Sequence, residues 1–256
     1  MHIQDLFTLK GKTAIVTGGG RGLGRYIALG LAEAGANVVV CSRKVASLER
    51  AADEIRGLGV EAMALPCDVT KPDDVDRVFE RTVERFGTVD VLVNNSGATW
   101  GSPALEMPLE AWRKVLDVNL TGTFLMSQRA GKLMMSKGGG KIINIASVAG
   151  LGGIDPRAMD AVGYNASKGA IITLTKDLAV KWGTYGIRVN AIAPGFFPTK
   201  MSQGLIEEHG QYLLDHTPLG RFGGEDDLKG IAVLLASPAS NYMTGSIVVV
   251  DGGVSA

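Results

Sequence analysis

An excess of charge of either sign, a set of disulfide-forming cysteines and long apolar runs are all missing from this 256-residue chain. Its 26 basic residues balance 26 acidic ones, so no positive field draws in nucleic acid and no polybasic tract reads an anionic membrane. No apolar run approaches the length that spans a bilayer, and residues 1–12 lack the apolar stretch of a secretion signal. Cys41 and Cys67 are the only cysteines, too few for a disulfide framework. They read as reduced, buried small hydrophobes of a cytoplasmic protein. His2, His209 and His216, the only histidines, have no ligand spacing, so no metal is expected. Glycine is plentiful, with 35 residues spread through turns and no repeat, low-complexity tract or linker among them. With 46% hydrophobic content, residues 1–256 are expected to form one domain around a large core.

What is present is an alternation of strands and helices. Thr13–Thr17, TAIVT, reads as a buried strand. It runs directly into Gly18-Gly19-Gly20-Arg21-Gly22-Leu23-Gly24, then a helix with Ile27, Ala28, Leu31 and Ala34 on one side. Glycines there let the backbone approach a pyrophosphate, and the free N–H groups of a helix start favour its charge. Such a turn also serves as a plain strand-to-helix connection; its place at the head of the alternating pattern argues for binding. A second strand, 37–41, stops at Ser42 and Arg43, where NAD sites carry an acid for the adenosine ribose. A hydroxyl and the guanidinium groups of Arg43 and Arg21 would instead attract a 2′-phosphate, favouring NADP over NAD. A kinase-type phosphate loop is excluded, because no Gly-Lys-Ser/Thr follows the glycines.

Further along, Val45, Leu48, Ala52 and Ile55 form the apolar stripe of a helix. Strand 61–66 leads to Cys67-Asp68-Val69, and a helix follows with Val75, Val78, Phe79, Val83 and Phe86 inward. Strand 90–93 ends in Asn94-Asn95-Ser96-Gly97. One long helix is expected over 110–137, with Asn119 inside it. Strand 142–146 precedes a helix whose spacing places Ala166, Ala170, Leu174 and Leu178 together. Strand 188–192 stops at Ala193-Pro194-Gly195, and residues 196–221 read as a mobile helical cap. A helix at Asp226–Ala236 and a strand at 246–250 close the pattern. Strands alternating with helices predict an α/β fold: a doubly wound, Rossmann-type domain with a parallel sheet of about seven strands and helices on both faces. Ligands bind at the C-terminal strand ends of such sheets.

The chemistry concentrates near residue 147. Ser147 stands at a strand end, and Tyr164 and Lys168 are four apart, on one face of a helix. A phenol ordinarily titrates near pH 10, and a neighbouring ammonium is expected to lower that value. A hydroxyl that holds a carbonyl oxygen beside such a phenol completes an acid/base device for reducing a ketone or oxidising an alcohol. Taken alone, Tyr-x-x-x-Lys is a common surface pair; the surrounding motifs give it meaning.

Together, Thr17-Gly18…Gly22-x-Gly24, Asp68-Val69, Asn94-Asn95-Ser96-Gly97, Asn119, Ser147, Tyr164-x-x-x-Lys168 and Pro194-Gly195 with Thr199 resemble the short-chain dehydrogenase/reductase family over essentially the whole chain. The resemblance implies a ketone/alcohol oxidoreductase using NADP(H), assembled as a homotetramer. It implies cofactor contacts from Gly18, Gly20, Arg21, Gly22, Leu23, Ser42, Arg43, Asp68, Val69, Asn95, Gly97, Tyr164, Lys168, Pro194, Gly195, Phe197 and Thr199. Within that set, Asp68 and Val69 would hold the adenine, and Phe197 and Thr199 the carboxamide. Ser147 would orient the carbonyl, Tyr164 would exchange the proton, Lys168 would bind the nicotinamide ribose, and Asn119 would kink its helix and hold a water linking Lys168 to solvent. Ser147 and Tyr164 stand 17 residues apart, about four more than is usual in the family. The surplus falls in 152–160, on the substrate side. This loop and the segment PGFFPTKM look like the gluconate 5-dehydrogenase branch, and 3-oxoacyl reductases share features with it. Candidate substrates are therefore a keto-gluconate or other sugar acid, a 3-oxoacyl thioester, or a cyclic, apolar ketone beside Trp100, Ile154, Met159, Phe196, Met201 and Tyr212. A catalytically idle dinucleotide-binding sensor or scaffold is the rival reading, and it has no need of Asn119, Ser147, Tyr164 and Lys168 together.

Overall fold

The computed structural model describes residues 2–256. Its centre is β1, Thr13–Thr17, a five-residue strand buried along its full length. Short apolar strands of this kind form parallel sheets covered on both faces, and seven of them do so here. They are β1, β2 (Asn37–Ser42), β3 (Ala62–Pro66), β4 (Val91–Asn94), β5 (Gly140–Ile145), β6 (Ile187–Pro194) and β7 (Ile247–Val250), in the order β3-β2-β1-β4-β5-β6-β7. Every pairing is parallel. The order in which strands are added reverses between β1 and β4, which opens a crevice at their C-terminal ends.

Side-chain alternation along the strands divides the core in two. Ala14, Val16, Val38, Val40, Val91, Val93 and Ile143 pack under α2 (Gly22–Glu33), α3 (Val45–Arg56) and α9 (Asp226–Ala236). Ile15, Val39, Leu92, Ile142 and Val189 pack under α4 (Pro72–Phe86), α6 (Gly122–Ser136) and α7 (Val162–Trp182). The remaining helices are α1 (Ile3–Phe7), α5 (Leu109–Leu116) and α8 (Gln203–Asp215). Local chemistry sets many helix ends: α4 begins on Pro72 with Asp73 and Asp74 in its first turn and ends at Gly87 with φ of 75°, which suits the helix dipole and a left-handed cap. No helix among the described residues is long and apolar enough to cross a membrane.

The helix expected over 110–137 runs unbroken, α5 and α6 continuing through a π-helical turn, Asp117–Thr121, with buried Asn119 inside it. Two details differ from the sequence reading. In α3, Val45 is exposed and Ala51 takes a place in the buried face. In α7, Ala166 is exposed, Ala170 and Leu174 are half-buried, and Leu178 alone of the four is buried. The buried face instead carries Ser167, Lys168, Ile171 and Thr175. Polar side chains can face the sheet here because each has a partner: Thr175 Oγ1 donates to Ile171 O and accepts from Asn144 Nδ2 at 2.9 Å, and Ser167 Oγ donates to Tyr164 O. Hydrogen bonding removes the desolvation penalty that periodicity alone assigns to such a face.

Candidate active site at the strand ends

The glycine turn after β1 is built for close approach. Gly18 and Gly22 have φ of 65° and 53°, values that L side chains rarely adopt. A Cβ on Gly24 would meet Asn95 Nδ2 at 2.3 Å and Gly18 O at 2.5 Å. One on Gly20 would meet Ser47 Oγ at 2.8 Å. Asn95 braces the turn, its amide donating to Thr17 O at 2.9 Å and Gly18 O at 3.3 Å, while Thr17 Oγ1 accepts from both Asn95 N and Ser96 N. The β1 and β4 ends are thus one unit. Helix α2 starts at Arg21 with no side-chain cap, leaving its first N–H groups for an anion.

Beside this turn lie half-buried Ser42 and exposed Arg43 and Arg21. None of the ion pairs among the described residues engages Arg21 or Arg43. Asp68 is fixed by Asp74 Oδ2, which accepts from Asp68 N at 2.9 Å; that backbone hydrogen bond holds the Asp74 carboxyl below its ordinary range. Val69 is buried and lies where a Cβ on Gly122 would strike it, at 2.5 Å. Across the cleft, Thr199 Cγ2 would sit 3.2 Å from a Cβ on Gly22, and Met201 Cε 4.0 Å from one on Gly97. The segment after Pro194 and Gly195 therefore lies over the glycine turn. Phe197 turns its ring into the core against Gly223, so it can meet a ligand only through its backbone.

A cradle of positive-φ glycines, an uncapped helix start and two free guanidinium groups fit a dinucleotide that carries an extra phosphate. At the same end of the sheet Ser147 follows β5, and α7 brings Tyr164 and Lys168 beside it. Ser147 is 7% exposed; its Oγ accepts from Ala149 N at 3.1 Å and stands close enough to the Tyr164 phenol to act on its titration. Lys168 is 5% exposed; its Nζ donates to Ile145 O at 2.6 Å and lies 5.5 Å from the centre of the Tyr164 ring. Burial pushes the Tyr164 phenol above its usual value, and the Ser147 hydroxyl offsets this only in part. Burial also pulls the Lys168 ammonium down to about 8. The expected lowering of the phenol by Lys168 is thus corrected for the free protein. Desolvation dominates, and the ammonium points at a carbonyl.

Asn119 holds the third side of this group. Its Oδ1 accepts from Ala98 N at 2.7 Å, and its Nδ2 donates to Ala98 O and to Ser167 Oγ. The π-helical turn aims this side chain inward and ties the segment after β4 to α7. Two contributors went unread in the sequence. Ser167 relays Asn119 to the Tyr164 backbone. Gly150 packs directly on α7: a Cβ there would meet Lys168 C at 2.5 Å and Gly169 N at 2.7 Å. A glycine three residues after a strand-end serine carries no signal of such a contact, which only the packing creates. Cys41 and Cys67 are free and buried at adjacent strand ends, and hydrogen bonding to Cys67 leads burial in raising the Cys41 thiol well above its usual value.

Comparison with known proteins agrees with this geometry. A family model described as Enoyl-(Acyl carrier protein) reductase matches residues 18–255. The chain is 42% identical to 2-dehydro-3-deoxy-D-gluconate 5-dehydrogenase of Pseudoalteromonas atlantica, across 97% of this chain and 98% of that protein. It superposes with a TM-score of 0.95 on a short-chain type dehydrogenase/reductase from Mycobacterium marinum, 40% identical, with 99% of each chain covered. A gluconate 5-dehydrogenase from Burkholderia cenocepacia, crystallised with NADP and tartrate, superposes at 0.93 with 37% identity over 99% of this chain and 98% of that one. The cradle, the Ser147–Tyr164–Lys168 group and these full-length similarities place the chain in the short-chain dehydrogenase/reductase family.

Proposed function

We propose that this protein is an NADP(H)-dependent oxidoreductase that interconverts a ketone and a secondary alcohol, with a keto sugar acid as the substrate class. The placing of Ser147 and Tyr164 together beside buried Lys168 carries this reading. Gly18, Gly20, Gly22, Leu23, Asn95 and Gly97 would line the dinucleotide, with Arg21, Ser42 and Arg43 on its 2′-phosphate and Asp68 and Val69 at the adenine. Pro194, Gly195, the Phe197 backbone and Thr199 would face the nicotinamide end. The bound cofactor supplies or accepts the hydride.

The protein's own part is proton handling. The Ser147 hydroxyl and the Tyr164 phenol converge, so a carbonyl oxygen between them accepts two hydrogen bonds. A raised phenol is protonated at neutral pH, which suits donation to the alkoxide formed on reduction. The Lys168 ammonium then stabilises the phenolate left behind. Oxidation runs the same proton path in reverse. Segment 196–221 acts as a lid that excludes water from the cleft. The sugar-acid class comes from the relatives that act on gluconates. The protein is further read as a cytoplasmic homotetramer.

NADPH absorbance followed with keto-hexonates, 3-oxoacyl thioesters and cyclic ketones tests the proposal. Consumption is expected with a keto-hexonate. Turnover confined to thioesters would replace the substrate class, and no turnover of any carbonyl would refute the activity.

A further inference from the structure

The surplus loop at 152–160 is tethered at three places. Gly150, just before it, is pressed on the α7 backbone. At its far end Ser102 N donates to Asp160 O at 2.9 Å, with a short parallel bridge between Ser102 and Ala161. Between these points the loop reaches across to α8. Arg157 forks onto Asp155, with Nε at 3.0 Å from Oδ1 and Nη2 at 2.6 Å from Oδ2. The Arg157 guanidinium carbon lies 5.2 Å from the centre of the Tyr212 ring. Arg157 dominates the lowering of the Asp155 carboxyl, to which the nearby Tyr212 hydroxyl adds a little. On its own helix the Tyr212 ring stacks on His216, centroids 4.1 Å apart.

Helix α8 is not one rigid rod. His209 has non-helical backbone angles, φ −124° and ψ 15°, and Gly210 follows. The half before this kink continues from Thr199, which lies over the glycine turn, and Met201, which lies against Gly97. The half after it is anchored by buried Leu213 and by Thr217, whose Oγ1 donates to Leu213 O at 2.7 Å. Tyr212 belongs to the anchored half. Because Asp155 already takes both arms of the Arg157 fork, the pair presents little net charge to a substrate carboxylate. Its geometry serves a contact between two segments.

We propose that Arg157 and Tyr212 are specificity-determining residues, whose contact latches the 152–160 loop onto the fixed half of α8 and so sets the outer wall of the substrate cleft. The first half of α8 closes over the cofactor by pivoting at His209, and the latched wall keeps its place while it does so. This rests on the ketone/alcohol reading above and adds the residues that select the substrate's size. The loop begins five residues after Ser147 and ends just before the Tyr164 helix, so wall and proton donor share one frame.

The test compares wild type, Arg157→Ala, Tyr212→Leu and the double variant. Steady-state kinetics use a keto-hexonate and a bulky bicyclic ketone, and NADPH affinity is measured alongside. Each single variant is expected to shift the ratio of kcat/KM between the two ketones about tenfold toward the bulky one. NADPH affinity should stay within twofold, and the double variant should add little to either single, because both cut the same contact. A shift below threefold in either single variant overturns the proposal. Hydrogen exchange gives a readout independent of turnover: in Arg157→Ala the 152–160 peptides should exchange at least fivefold faster while β5 is unchanged. A loop as protected as in wild type overturns the latch. If wild type turns over neither ketone, the substrate class proposed above fails, and the exchange result alone decides the latch.

Discussion

Burial sets the protonation of both members of the Tyr164–Lys168 pair, and it moves them in opposite directions. The phenol rises above its usual value and the ammonium falls to about 8. Reduction needs a protonated phenol and a cationic lysine, so it runs at full rate while both hold their protons. We expect kcat/KM for reduction to be flat from about pH 6 to 7.5 and to fall above about pH 8, as Lys168 loses its charge. The oxidation rate should rise with pH over the same range, since it begins by taking a proton. A reduction profile flat to pH 10 would refute this order of titration. Tyr164→Phe should reduce turnover by roughly 10²- to 10⁴-fold with NADPH binding kept; a variant at half the wild-type rate would exclude Tyr164 as the donor. At the other end of the cleft, Ser42→Asp sets a carboxylate where a 2′-phosphate would lie. Loss of charge-assisted hydrogen bonds worth about 1.5–3 kcal/mol should move the NADP-to-NAD ratio of kcat/KM roughly 10- to 100-fold toward NAD. An unchanged ratio in that variant would place the phosphate elsewhere.

At the scale of elements, the decisive contact is between helix α7 and β5 with the segment that follows it. Lys168 Nζ grips Ile145 O, Asn144 Nδ2 grips Thr175 Oγ1, and Gly150 lies flat on the helix backbone. These three hold the proton donor at a set depth beside Ser147. Gly150→Ala would force a methyl to within 2.5 Å of backbone, and backbone cannot yield as a flexible side chain does. The strain should cost about 1–3 kcal/mol of stability and separate Ser147 from Tyr164. We expect kcat to fall at least tenfold with NADPH affinity retained, measured by steady-state kinetics and urea unfolding. Wild-type kcat in this variant would show that the helix depth is not set there. The π-helical turn acts alongside, since it is what aims Asn119 at Ala98 and Ser167.

For the whole molecule, the exposed apolar surface bears on assembly. Val180 on α7 is 82% exposed and Phe124 on α6 is 41% exposed. Apolar residues beyond the stripe that faces the sheet call for a second packing partner. Light scattering is expected to give a particle of four 26.8 kDa chains, and Val180→Glu is expected to reduce its size. A wild-type monomer at micromolar concentration would overturn the tetramer. The balance of 26 basic and 26 acidic residues leaves association to such apolar contacts rather than to a long-range field.

Apolar runs and turn glycines determined the order of strands and helices, because a parallel sheet covered on both faces demands runs such as TAIVT and NVVVC. The glycine turn and the Tyr164–Lys168 spacing were equally legible, since local backbone geometry and helical period place those groups without help from distant residues. Three things were not. The buried face of α7 defied its apolar spacing because Ser167 and Thr175 find partners on Asn119 and Asn144, residues far away in the chain. The helix expected over 110–137 runs continuously, but the π-helical turn inside it leaves little trace in periodicity. The protonation of Tyr164 depended on burial, which belongs to the assembled packing and to no short segment. Local geometry thus follows from the chain alone. Partners, depth and desolvation are properties of contacts between distant segments, and only the tertiary structure decides them.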